Sequence, residues 1–233
     1  DGKLTIRPYG KIEPSEHPIA VKEALEKLED LLLKAVKRQM IADVEVGVFL
    51  SGGIDSSLIS VLMAKETNKK IKSFTIKFSA RDQRKERMSD DSYFAKRISQ
   101  KIGTEHYEFE IRPDIVDLLP KMVWYIDEPL ADAAAINLYL MSKAAREKGV
   151  YVLLNGMGGD EIFGGYRKYL ASLRAEYYQK LVPAFLRHGI SSMIDVLPVA
   201  TQNRSFRRIR WLKRFLSFAS LPRAERFLSA DMS

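Results

Sequence analysis

The 233-residue chain is 46% hydrophobic and 29% charged, the balance of a globular protein with a core of ordinary size. It has no cysteine, which excludes disulfides, thiolate metal sites and a cysteine nucleophile within the chain. No stretch approaches the roughly 20 apolar residues that span a bilayer, and Asp1 to Pro8 has no leader pattern, so no membrane partner and a cytoplasmic setting are expected.

In chain order, residues 1–20 hold Pro8, Pro14, Pro18 and Gly10, the composition of an extended linker. Apolar residues at Ala24, Leu25, Leu28, Leu31, Leu32, Ala35 and Val36 predict an amphipathic helix from Val21 to Ile41. Val44 to Leu50 reads as a buried strand, followed by a glycine-containing loop and a helix from about Ser56 to Glu66. A strand at Ile71 to Phe78, an exposed charged loop at Arg81 to Asp91, a helix at Ser92 to Ile102 and a strand at Glu105 to Ile111 come next. Helical spacing returns at Ile115 to Ile126 and Ala133 to Lys148, and Val150 to Leu154 is a short buried strand. From Tyr169 onward the pattern is helical, broken at Pro183, Gly189, Pro198 and Pro222.

This alternation predicts an α/β fold: an open, mostly parallel five-stranded sheet with helices on both faces, plus a C-terminal helical subdomain. The expected organisation is a linker over 1–20, a nucleotide-binding domain over 21–170 and the helical subdomain over 171–233. The net charge of +8 is concentrated: residues 203–226 carry eight basic side chains and one acid. That segment could touch nucleic acid. An apolar stripe of Phe206, Ile209, Leu212, Leu216 and Ala219 favours a core-facing helix instead, so nucleic acid is not an expected partner.

Two glycine loops leave predicted strand ends, where open parallel sheets bind ligands. In the first, Ser51-Gly52-Gly53-Ile54-Asp55-Ser56-Ser57, Gly52 and Gly53 let the backbone approach an anion, and the following helix offers unpaired N–H groups. Ser51, Ser56 and Ser57 add hydroxyl donors. Asp55 makes sense there if Mg2+ lies between its carboxylate and phosphates. The second loop, from Asn155 to Gly165, holds five of the thirteen glycines and supplies Asp160 as a second ligand. Neither loop is G-x-x-x-x-G-K-(S/T) or G-x-G-x-x-G. Glu161 reads as an acid that orients Asp160 or occupies a first helical turn. His17, His106 and His188 lack metal-ligand spacing and read as structural or surface residues; Arg167 and Lys168 could reach a phosphate, although a basic pair on a helix surface is more often solvated.

The run S-G-G-x-D-S after a strand resembles the PP-loop of ATP pyrophosphatases, and Val46 to Ser57 resembles the synthetase domain of glutamine-hydrolysing asparagine synthetases. Asp127-Glu128-Pro129, Gly103-Thr104-Glu105-His106 and the second loop through Phe163-Gly164-Gly165-Tyr166 are similar to further segments of that family. The resemblance implies ATP and Mg2+ as cofactors. It implies a ligase that adenylates a carboxylate, aspartate's β-carboxyl first, releases pyrophosphate, and lets ammonia displace AMP to form asparagine. By the family pattern Ser51, Gly53, Asp55 and Ser56 hold pyrophosphate, Leu50, Phe78 and Gly156 lie against adenosine, and Asp55 and Asp160 bind Mg2+; Gly52 and Ser57 complete the expected cofactor-binding loop, and Asp55, Asp160 and Glu161 are the expected catalytic residues.

Met157 stands where the family carries an acid, and Ala133-Ala134-Ala135 where it carries hydroxyl residues and proline. Another carboxylate, another PP-loop chemistry such as tRNA modification or β-lactam formation, and a non-catalytic nucleotide-binding module therefore stay open. Ammonia is expected from a glutaminase domain outside this cysteine-free chain, and a homodimer is an open assembly. The family's catalytic lysine and V-R-x-P-F-L-D-like run do not occur before Ser233, so the chain alone is expected to bind Mg-ATP and turn over poorly.

Overall fold

A computed structural model describes residues 2, 4–11, 18–77, 91–110, 115–128, 134–195, 204–223 and 225–226. The chain forms two compact units, Asp1–Gly156 and Met157–Ser233. Residues 157–170, expected with the nucleotide-binding domain, fall in the second.

The first unit begins with exposed residues that form neither helix nor strand, Leu4, Ile6 and Tyr9 among them. Helix α1 (Val21–Gln39) is followed by β1 (Val46–Phe49), α2 (Ile54–Glu66), β2 (Lys72–Lys77), α3 (Asp91–Ile102), β3 (Glu105–Glu110), α4 (Ile115–Ile126), α5 (Ala134–Glu147) and β4 (Val152–Leu154). The strands form one parallel sheet in the order β3-β2-β1-β4, with Val48 opposite both Ser73 and Leu154. Among the described residues the sheet has four strands rather than five: the four β-branched or alternating runs all pair, and no further described segment forms a strand. The charged stretch expected as a loop lies outside the described residues, except Asp91, which opens α3.

Alternation along the strands gives the sheet two apolar faces. Val48 and Leu154 point to one face, where Val36 of α1, Leu62 and Met63 of α2 and Ile71 complete a buried cluster. Phe49 and Phe74 point to the other, packed with Val150 and Ala145 of α5. There Phe74 stacks on Tyr107 and Phe109 with centroids 5.4 and 6.1 Å apart. At about 25 cal/mol per Å2 of buried apolar surface, the fully buried Phe74, Leu62, Met63 and Val48 contribute roughly 1.5–3 kcal/mol each.

Strand order decides where a ligand can bind. β1 leads to β2 and then β3 on one side, whereas β4 joins on the opposite side of β1. β1 therefore has strands that follow it in sequence on both sides, the position at which open parallel sheets bind ligands beyond their carboxyl ends.

The second unit is helical: α6 (Gly159–Phe163), α7 (Arg167–Leu181), α8 (Ala184–Asp195) and α9 (Arg204–Ala219). Phe215 of α9 meets Tyr178 of α7 edge to face at 5.8 Å; of the predicted apolar stripe Leu216 and Ala219 are buried and Ile209 is half-buried, whereas Leu212 is exposed. The Gln179 amide closes the end of α9 by donating to the carbonyls of Ala219 and Leu221 at 2.8 and 3.0 Å. No described helix is long and apolar enough to cross a membrane.

Candidate nucleotide-binding site

The first glycine loop leaves the carboxyl end of β1, the strand next to β4. Leu50 closes the strand: its N–H donates to the Phe74 carbonyl at 2.9 Å and its carbonyl accepts from the Thr75 hydroxyl. Leu50 has no exposed surface, so it supports the loop from beneath and offers a nucleotide no face.

The serines then tie the loop to the helix that follows. Ser56 Oγ accepts from the Ser51 N–H at 3.2 Å, lies 2.9 Å from Ser51 Oγ and donates to the Gly53 carbonyl at 3.3 Å. Ser57 Oγ donates to the same carbonyl. The Gly53 N–H donates to Ser51 Oγ at 3.3 Å. Ser56 is buried and acts as the hub of this turn, whereas Ser51 and Gly53 are exposed.

Two glycines are required by contact. Gly52 has φ +79°, and a Cβ there would lie 2.6 Å from the Asp91 carbonyl and 2.8 Å from Ala95 N, so the turn packs against the start of α3. At Gly156 a Cβ would lie 2.7 Å from both Asp55 Cβ and Ser56 N. The chain leaving β4 thus runs directly over the first turn of α2, and the structure brings Gly156 together with Asp55 and Ser56.

Helix α2 starts at Ile54, two residues ahead of the sequence expectation, because Gly53 takes the N-cap position. Glycine has no side chain to cap the first turn, and no side-chain cap bond forms. The first-turn N–H groups therefore carry the positive end of the helix dipole, about half a charge, without an internal partner. Half-buried Asp55 stands in that same turn. Phe78 lies outside the described residues.

Asp160 and Glu161 belong to the second unit, on the five-residue helix α6. Gly158 precedes it with φ 97° and Gly164 ends it with φ 69°. The Gly164 and Gly165 N–H groups both donate to the Asp160 carbonyl. A Cβ on Gly165 would fall 1.9 Å from Asp160 Oδ1, so the Asp160 carboxylate occupies space that only glycine leaves open. The Tyr166 hydroxyl donates to Glu161 Oε1 at 2.6 Å. This bond holds the Glu161 carboxyl below the usual carboxylate range, helped by the backbone N–H groups of Glu161 and Gly158, and it pushes the Tyr166 hydroxyl up to about 12. Lys168 stands over the rings of Tyr166 and Tyr169 at 4.9 and 5.6 Å. The partnership of Glu161 and Tyr166 was not read from the sequence; its only signal is a five-residue spacing across a Gly-Gly turn.

Of the histidines, His106 is in a polar network away from the loop. Its Nδ1 lies 2.9 Å from Ser73 Oγ, which lies 2.7 Å from Thr104 Oγ1, and Thr104 donates to Ser99 Oγ at 2.8 Å. Burial lowers its pKa, Glu108 raises it and Lys96 lowers it further. His17 and the His188 side chain lie outside the described residues. Among the described residues no group of three or more histidines and acids could hold a metal by itself. The donor set at Asp55, one carboxylate beside an anion-seeking helix terminus, suits Mg2+ that arrives with phosphates, since Mg2+ takes one or two carboxylates and fills its other positions with phosphate oxygens and water.

The asparagine synthase family matches the chain over residues 27–232. Asparagine synthetase 1 (glutamine-hydrolyzing) of Bacillus subtilis is 34% identical over 206 residues, 88% of this chain and 31% of that protein. Asparagine synthetase 1 (glutamine-hydrolyzing) of Lotus japonicus is 31% identical over 161 residues, 64% of this chain and 25% of that protein. The chain therefore spans between a quarter and a third of these relatives' length. A solved glutamine-dependent NAD+ synthetase of Acinetobacter baumannii, in complex with ADP, covers 89% of this chain and 48% of its own at 14% identity, with a TM-score of only 0.43. On the family match across most of its length, the chain belongs to the asparagine synthase family.

Proposed function

We propose that this chain is the ATP-binding, carboxylate-activating part of an amide-forming ligase. The observation that carries the reading is the turn from Ser51 to Ser57. Its helix begins on a side-chain-free cap, at the carboxyl end of β1, where the strand order reverses. An anion is the natural partner of such a helix end.

In the proposed reaction a carboxylate oxygen attacks the α-phosphorus of ATP. The bond from that phosphorus to the oxygen bridging to the β-phosphate breaks, and pyrophosphate leaves with the electron pair. Ammonia then attacks the acyl carbon of the adenylate, loses a proton and expels AMP. Charge develops on the departing pyrophosphate, and the loop supplies what that charge needs: uncapped N–H groups of α2, in a turn already tied in place by Ser51, Ser56 and Ser57. Donors fixed before the reaction need no reorganisation during it. Gly156 lies pressed on the first turn of α2, where a side chain would collide with Asp55 and Ser56.

Mg2+ held by Asp55 would neutralise phosphate charge; Asp160 as its second ligand is proposed on the motif resemblance alone. On the same resemblance, aspartate is the proposed carboxylate and ammonia comes from a glutaminase domain beyond this chain. The sequence-drawn limits, 21–170 for nucleotide binding and 171–233 for a helical subdomain, are part of this proposal. Pyrophosphate release from ATP, assayed with the whole protein across a panel of carboxylates, tests it. Release that depends on aspartate is expected. Release with a different carboxylate would move the substrate assignment, and no release with any would leave a nucleotide-binding module.

A further inference from the structure

We propose that Tyr166 and Glu161 form a clasp that presets Asp160 for its cation, which makes both of them positioning residues; the proposal rests on the Mg-ATP reading above.

Helix α6 has only five residues, Gly159–Phe163, too few to hold a helical conformation alone. What holds it is visible at its two ends. Glu161 is the third helical residue after the Gly158 cap, the place from which an acidic side chain reaches back to unpaired N–H groups at a helix start. Gly164 and Gly165 reverse the chain and donate two N–H groups to the Asp160 carbonyl. That reversal delivers Tyr166 back to the start of the helix, where its hydroxyl donates to Glu161 Oε1 at 2.6 Å.

The tyrosine is itself held. Its ring lies 5.7 Å from that of Tyr169, and Lys168 Nζ stands over both rings. A tyrosine side chain has two rotatable torsions, so fixing the ring fixes where the hydroxyl points, at less entropic cost than a longer side chain. The Asp160 carboxylate, one residue before Glu161, rests on the bare backbone of Gly165. One turn thus governs both acids: Gly165 sets the room for Asp160, and Tyr166 locks the helix that carries it. The catalytic role expected of Glu161 becomes indirect, since its carboxylate is engaged in closing α6.

The test measures ATP binding by calorimetry in the whole protein as Mg2+ is varied, for Tyr166→Phe, Glu161→Ala, both together, and Glu161→Gln. Each of the first two variants is expected to raise the Mg2+ needed for half-maximal binding about tenfold, the usual effect of removing a residue that orients a metal ligand. Metal-free ATP affinity stays as in the wild type, and the melting temperature falls only by the roughly 2–4 °C that one lost hydrogen bond accounts for. The double variant is no worse than the poorer single one, because both break the same bond. Glu161→Gln, whose amide oxygen still accepts from the tyrosine, recovers most of the Mg2+ affinity. Unchanged Mg2+ dependence in Tyr166→Phe, or additive losses in the double variant, overturns the clasp while leaving the Mg-ATP reading intact. Wild-type protein that binds ATP without regard to Mg2+ overturns both.

Discussion

Gly156→Ala probes the tightest contact at the proposed nucleotide site. The added methyl would meet Asp55 Cβ and Ser56 N at 2.7 Å and the Asp55 carbonyl carbon at 2.8 Å. None of these atoms is the free end of a side chain; two belong to the backbone of the first turn of α2, which is held by Ser56 and Ser57 through Gly53. The neighbours cannot yield singly, so either β4's trailing segment or the helix start must move. Forced overpacking of this kind costs about 1–3 kcal/mol. In a chain of this size that lowers the melting temperature by roughly 2–12 °C, at about 2–4 °C per kcal/mol. The methyl also covers the Ser56 N–H, so ATP affinity falls by more than stability alone accounts for. Urea unfolding and calorimetric ATP titration, both well below the variant's melting point, separate the two effects. A variant with the wild-type urea midpoint refutes the packing argument, and one that is destabilised yet binds ATP normally refutes the placement of phosphates at this helix end.

Gly165→Ala makes a contrast, since the closest atoms in its way are the Asp160 carboxylate oxygen and carbon, at 1.9 and 2.8 Å, which can swing aside, and the Asp160 backbone Cα is farther off at 3.3 Å. We expect a small change in the urea midpoint, about 1 kcal/mol or less, together with a clearly raised Mg2+ requirement for ATP binding in titrations of metal. His106 predicts a pH effect. Its folded-state pKa lies below the ordinary 6.5 because burial disfavours the charged ring. As pH falls through that range the unfolded chain takes up the proton first, so stability is complete above the unfolded-state value and declines below it. Urea midpoints at pH 7.5 and 5.5 measure the decline, and His106→Gln should flatten it.

Much of the fold was legible because its signals are local. The buried run ending in Phe49 and Leu50, the glycines after it and the helical spacing beyond could be read as strand, turn and helix without knowing any distant partner. The exact start of α2 was not, because Gly53 serves as a cap by lacking a side chain, and composition favours serine for that place. Leu50 shows a second limit. Its position in the motif suggested a nucleotide contact, but burial against Phe74 and Thr75 depends on strands 25 residues away. The requirement for Gly156 was visible as a glycine, whereas the reason for it, the first turn of α2, is a long-range contact. Tyr166 was legible only as part of a motif, and its bond to Glu161 depends on a two-glycine reversal whose geometry spacing does not report.

Asp55 and the helix end that carries it are the centre of the proposed Mg-ATP site. Calorimetry of Mg-ATP binding to the wild-type protein and to Asp55→Ala decides it: the wild type should bind Mg-ATP, and the variant should lose that binding while keeping its melting temperature. An Asp55→Ala protein that binds Mg-ATP with wild-type affinity would contradict the assignment of the loop from Ser51 to Ser57.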